Sequence, residues 1–142
     1  MIVDANVLLY ASDSTSPHHD RAAAWLTGAL RGDVRVGLPW QSIGAFLRIS
    51  THPRVMSQPV TPERASSVVE NWFSSPVAWM PVPTVSTVRI LAGLVQRYSI
   101  SGNLVPDAQL AALAIEHGVA VASADTDFAR FRELRWINPL TD

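Results

Sequence analysis

The sequence predicts a single α/β domain whose mainly parallel central sheet lies between two layers of helices (a three-layer α/β/α sandwich), and three observations predict it. Short apolar runs alternate along the chain with segments whose apolar residues recur at helical spacing. That order calls for strands joined by crossover helices, hence a sheet covered on both faces. The helical segments are punctuated by Ser/Thr-Pro starts and Gly stops. Finally, 142 residues of which 48% are apolar and 16% charged suit one ordinary core, with no disordered tract and no second domain, so the domain runs 1–142.

Each element follows in order. Ile2, Val3 and Asp4 read as a short buried strand that turns into a helix at Ala5-Asn6. Ser16-Pro17 reads as an N-cap and first-turn proline for a helix carrying Ala22, Trp25, Leu26, Ala29 and Leu30, with Asp20 near its positive end and Gly32 stopping it. Residues 34–38 alternate like a strand, and Pro39 opens a helix with Ile43, Phe46 and Leu47 on its apolar face. Three prolines make 51–62 a loop, and Thr61-Pro62-Glu63 starts the next helix, through Phe73. A strand over 77–82 and a helix over 84–98 follow. Pro106-Asp107 begins a strongly apolar helix that His117-Gly118 ends, and 119–123 is a buried strand. A short helix containing Phe128 and Phe131 precedes a last strand near Trp136-Ile137. Trp25 and Trp40 fall near apolar helix faces and read as core.

Composition excludes much. There is no cysteine, which removes disulfides and thiolate metal sites. All 11 basic residues are arginine, so chemistry that needs an ammonium group is absent: P-loop NTPases, Schiff-base enzymes and the β-lactamase type. A net charge of -1 argues against binding nucleic acid through a large cationic surplus, though not against a local basic patch. The start lacks the basic and apolar regions of a signal peptide, and no run approaches the 18 apolar residues of a membrane span. A cytoplasmic protein with no membrane partner is expected.

The acids fall on this map unevenly. Asp4 ends the first strand, Asp125 and Asp127 follow the 119–123 strand, and Asp107 sits in the first turn of a helix. In parallel sheets the crevice forms at the carboxyl ends of strands. Taken singly, Asp125 or Asp127 reads as a helix cap and Asp107 as a complement to the helix dipole. Asp4 resists such a reading, because a carboxylate beside an apolar strand is costly to bury without compensation, and no lysine is available. A shared cation explains all four together. Aspartates without thiolate or a histidine pair make a hard, all-oxygen site suited to Mg²⁺ or Mn²⁺.

The strings Met1-Ile2-Val3-Asp4-Ala5-Asn6, Gly102-Asn103-Leu104-Val105-Pro106-Asp107-Ala108 and Ser123-Ala124-Asp125-Thr126-Asp127-Phe128 resemble the PIN domain. Phe46-Leu47-Arg48-Ile49-Ser50-Thr51-His52-Pro53-Arg54-Val55, with the closing Arg135-Trp136 and Pro139-Leu140, is similar to the VapC ribonuclease toxins of mycobacterial type. The resemblance implies a PIN-like fold and a Mg²⁺-dependent endoribonuclease, the toxin of a type II toxin–antitoxin system, cutting phosphodiester bonds by a metal-activated water. It also implies a small VapB-like antitoxin and a homodimer. Asp4, Asp107, Asp125 and Asp127 are the expected catalytic and metal-binding residues, with Mn²⁺ as an alternative metal, and Asn6 and Ser123 are expected to hold those carboxylates in place. Many PIN domains carry a glutamate in the helix after the second strand, whereas 39–51 here contains no acid, only Gln41, Ser42 and Ala45 in that region. One metal or two both stay open.

Arg48, Arg54 and Arg130 are the candidate RNA contacts, because a guanidinium donates two hydrogen bonds to one phosphate. A flap-type or repair DNA nuclease would use the same carboxylate logic, but the chain is short and has neither an arch insertion nor a basic tail. A degenerate domain that only binds RNA or a partner is the non-enzyme alternative, opened by the missing glutamate and opposed by the four retained aspartates.

Overall fold

Ile2 and Val3 occupy successive positions of one strand, so their side chains leave it on opposite faces. Each enters a different core. Ile2 packs with Leu110, Leu113, Val121, Phe128 and Phe131, while Val3 packs with Val7, Leu8, Leu26, Val36 and Phe46. Those two cores are the two interfaces of a three-layer sandwich, and in the computed structural model of the protein they lie on either side of a five-stranded sheet. The structure describes residues 1–141; the last residue of the expected 1–142 domain lies outside them.

The strands are β1 (Ile2–Val3), β2 (Val36–Gly37), β3 (Ala78–Trp79), β4 (Val121–Ala122) and β5 (Trp136–Ile137). Their order is β3-β2-β1-β4-β5 and every pairing is parallel. The helices are α1 (Ala5–Ser12), α2 (His19–Arg31), α3 (Trp40–Ser50), α4 (Pro62–Phe73), α5 (Val85–Arg97) and α6 (Val105–His117). The first four cover one face of the sheet and α5 and α6 the other. The chain proceeds outward from β1 to β3, then returns to build β4 on the other side of β1. The order therefore reverses between β1 and β4, and the crevice belongs beyond their carboxyl ends.

Local chemistry explains the boundaries. The Thr61 hydroxyl accepts from the Arg64 amide and Pro62 takes the first helical position, as the cap-plus-proline signature requires. Gly118 closes α6 with φ +66, a left-handed conformation that side chains resist. Gly37 lets β2 approach β1, since a Cβ there would stand 3.1 Å from both Ile2 Cγ1 and the Met1 carbonyl oxygen.

Four expectations need correction. Ser16-Pro17 does not cap α2: the helix begins at His19, and the Ser16 hydroxyl is spent on the His18 amide in the turn before it. The 77–82 strand shortens to Ala78–Trp79, because Pro81 and Pro83 have no N–H to extend the ladder. The helix with Phe128 and Phe131 is a five-residue 3₁₀ turn, Thr126–Arg130, with Phe131 just beyond it. Trp40 is not core but 75% exposed: as the first residue of α3 it precedes the face that Ile43 and Phe46 bury. Among the described residues no helix is long and apolar enough to cross a membrane.

Candidate metal centre

Asp4 follows β1 and stands at the N-cap of α1, yet its carboxylate makes no capping bond. Its Oδ2 accepts instead from Ser123 Oγ at 2.6 Å and from Asn6 Nδ2 at 3.0 Å. Asn6 Nδ2 also donates to Ser123 Oγ at 3.0 Å, and Asn6 Oδ1 accepts from the Ala124 amide at 3.2 Å. Ser123 Oγ in turn accepts from the Asp125 amide at 3.0 Å, and the Ser123 carbonyl accepts from Trp136 Nε1 at 2.9 Å. This network stitches the carboxyl ends of β1 and β4 together and ties them to the first residue of β5, with Ser123 fully buried at its centre. Asn6 and Ser123 thus both donate to the same oxygen of Asp4.

The other three acids converge in front of it. Asp107, Asp125 and Asp127 each present an oxygen, and the three lie within 4.8 Å of one another. Asp107 occupies the third position of α6, where the apolar run behind it (Ala108, Leu110, Ala111) anchors the helix in the core. Asp125 caps the 3₁₀ turn by accepting from the Asp127 amide at 2.8 Å, so the cap reading holds for one of its oxygens. Asp127 accepts from Arg130 Nη2 at 3.1 Å. Asp107 makes no side-chain hydrogen bond among the described residues.

The electrostatics follow from that crowding. Burial, then the charges of Asp125, Asp4 and Asp127, push the Asp107 carboxyl up to about 6, against a smaller pull from Arg130. Burial also raises Asp4, opposed by the Ser123 hydroxyl and reinforced by the charge of Asp125. A divalent cation between these oxygens would remove the repulsion, and the donor set fits a hard ion: all oxygen, with no thiolate or imidazole. Asp4 stands outside the converging trio but within electrostatic range of it.

No carboxylate from α3 joins them among the described residues. Ser42 uses its buried hydroxyl to bond the Val3 carbonyl at 2.8 Å, and Gln41 faces a cleft it shares with Gln109 of α6. Glu116, at the far end of α6, accepts from the Thr84 and Thr87 hydroxyls at the start of α5. Of the three candidate arginines, only Arg130 reaches the acids. Arg48 lies on the exposed face of α3 and Arg54 in the loop after it. Tyr98 and Arg97, which line a recess beside Arg130, escape the sequence reading because their partners lie more than thirty residues away.

The PIN domain family model matches residues 1–134. Ribonuclease VapC37 of Mycobacterium tuberculosis is 45% identical over 138 residues, covering 97% of this chain and 96% of its own. Ribonuclease VapC33 of the same species is 37% identical over 142 residues, covering 100% and 99%. Among solved structures, VapBC2 from Rickettsia felis, bound to a DNA fragment from its promoter, superimposes with a TM-score of 0.66 at 17% identity, covering 96% of each chain.

Proposed function

The chain belongs to the PIN domain family, and from that premise we propose that it is a metal-dependent endoribonuclease, the toxin of a VapBC toxin–antitoxin pair. The observation that carries the reading is the convergence of Asp107, Asp125 and Asp127 beyond β4, with Asp4 tethered beside them, in a chain 45% identical to a protein named a ribonuclease. Asp107 and Asp125 would be direct ligands together with Asp4; Asp127 would ligate or orient the attacking water. Mg²⁺, or Mn²⁺ in its place, would supply a bound water of lowered pKa and neutralise charge on the phosphate. Asn6 and Ser123 hold Asp4 in its orientation. Arg130, bonded to Asp127, is placed to meet an incoming phosphate, and Arg48 and Arg54 would meet the strand further out. The partners on this reading are RNA, a VapB-like antitoxin and a second copy of the chain, in the cytoplasm.

The test is direct. Purified protein with Mg²⁺ or Mn²⁺ cuts cellular RNA, EDTA stops it, and Asp4→Asn and Asp107→Asn each lose at least a hundredfold in rate while remaining folded. Wild-type rates in either variant would overturn the metal assignment. Growth arrest on expression, relieved by co-expression of a cognate VapB-like antitoxin, tests the toxin assignment separately.

A further inference from the structure

Beside the acids the structure carries a second polar assembly, and we propose that it is a phosphate-binding subsite for the RNA strand, formed by Arg97, Arg130 and Arg132 around Tyr98. This rests on the ribonuclease reading above and adds where the strand is held.

Arg97, Tyr98, Arg130, Arg132 and Glu133 line one recess. The two segments that form it both lead into the acid cluster. Arg97 ends α5 and Tyr98 follows, with the chain then running through Gly102–Leu104 to Asp107. Arg130 ends the 3₁₀ turn that Asp125 caps and that contains Asp127, and Arg132 and Glu133 follow it. Arg130 joins recess and acids: Nε donates to the Asp127 carbonyl and Nη2 to its carboxylate, each at 3.1 Å.

The recess is held in shape. The Tyr98 ring stands edge-on to the buried Phe131, with centroids 5.5 Å apart and planes at 88°. Its hydroxyl accepts from the Arg132 amide at 3.1 Å and donates to Glu133 Oε2 at 2.7 Å. Glu133 then pairs with Arg97. The three guanidiniums thus meet two carboxylates, Glu133 on Arg97 and Asp127 on Arg130. Arg132 points its own guanidinium at no acceptor among the described residues. Three arginines gathered only for stability would be spent on ion pairs; here one is left over.

Function supplies the reason. Four aspartates at the crevice repel a polyanion, and a chain of net charge -1 has no general cationic surplus to offset them. A local arginine recess next to the acids offsets that repulsion where it acts. The guanidinium fork matches phosphate oxygens two at a time, and phosphate is the anion that every nucleotide of the strand carries, so the ligand is the phosphodiester of an adjoining nucleotide.

The experiment is equilibrium binding of a short fluorescein-labelled single-stranded RNA to the full chain in EDTA, across a salt series. Each phosphate neutralised contributes about 0.7 to the slope of log affinity against log salt for a single strand. Arg132→Gln should lower the slope by about 0.7 and the double variant Arg97→Gln/Arg132→Gln by about 1.4. Arg132→Lys should keep it, and so should Arg31→Gln, on α2 across the sheet. Melting temperature should be unchanged in Arg132→Gln, whose guanidinium bonds nothing among the described residues. A wild-type slope in Arg132→Gln overturns the subsite. So does wild-type protein that holds no RNA in EDTA, since the recess presents its arginines without metal. RNA cleavage by that same protein on adding Mn²⁺ would leave the ribonuclease reading standing.

Discussion

At the scale of the residue, Asp107 carries the most information. Its carboxyl titrates near 6 because it is partly buried and faces three other acids. A carboxyl whose pKa is raised by folding favours the fold while neutral, so its stabilising contribution is complete below about pH 4 and is lost as pH rises through about 6. In EDTA, therefore, Asp107→Asn should melt with wild type at pH 4 and at a higher temperature than wild type at pH 7. A variant that melts below wild type at pH 7 would make Asp107 an ordinary first-turn acid. The aspartates were legible in the sequence because each borders an apolar run, where a carboxylate demands an explanation. The tether on Asp4 was legible as residue types only: Asn6 and Ser123 lie 117 positions apart, and no spacing rule predicts that they meet. Tyr98 and Glu133 were invisible for the same reason, being 35 positions apart and unremarkable alone.

Elements were legible to the extent that their ends are governed by local chemistry. Thr61-Pro62 and Gly118 punctuate the chain as expected, because a hydroxyl cap and a left-handed glycine act within a few residues. Gly118→Ala should cost about 1 kcal/mol in denaturant unfolding, through the left-handed strain alone, since nothing stands within 4 Å of the added Cβ. An unchanged midpoint would show that the turn relaxes freely. Ser16-Pro17 follows the same hydroxyl-then-proline pattern as Thr61-Pro62, yet its hydroxyl closes a turn and the helix waits until His19. Local preference offered both outcomes, and the Ser16 hydroxyl took the turn. Trp40 shows the converse limit. Its size argues for burial, but its position at the first turn of α3 leaves it outside the face that packs.

At the scale of the molecule, the alternation of strand and helix sufficed for the three layers, while the strand order required the structure. The reversal between β1 and β4 turns four scattered acids into neighbours, and that gathering stores repulsion in the metal-free fold. A cation bound only by the folded protein should raise its stability by RT ln(1 + [M]/Kd), about 2.7 kcal/mol at a hundredfold excess over Kd. Thermal melts with and without Mn²⁺ should show an upward shift for wild type and much less for Asp107→Asn. Equal shifts for both would place the cation elsewhere.

The bond between Asp4 and Ser123 spans 119 positions of the chain. A ribosome makes Asp4 119 residues before Ser123, and Asp125 and Asp127 follow later still. Until then β1 has no β4 beside it, Asp4 has no hydroxyl to orient it, and two of the three converging oxygens do not yet exist. A chain that stops short of Ser123 therefore lacks both the Asp4 tether and the acid cluster. The acid cluster is thus completed late in synthesis, once β4 can close against β1.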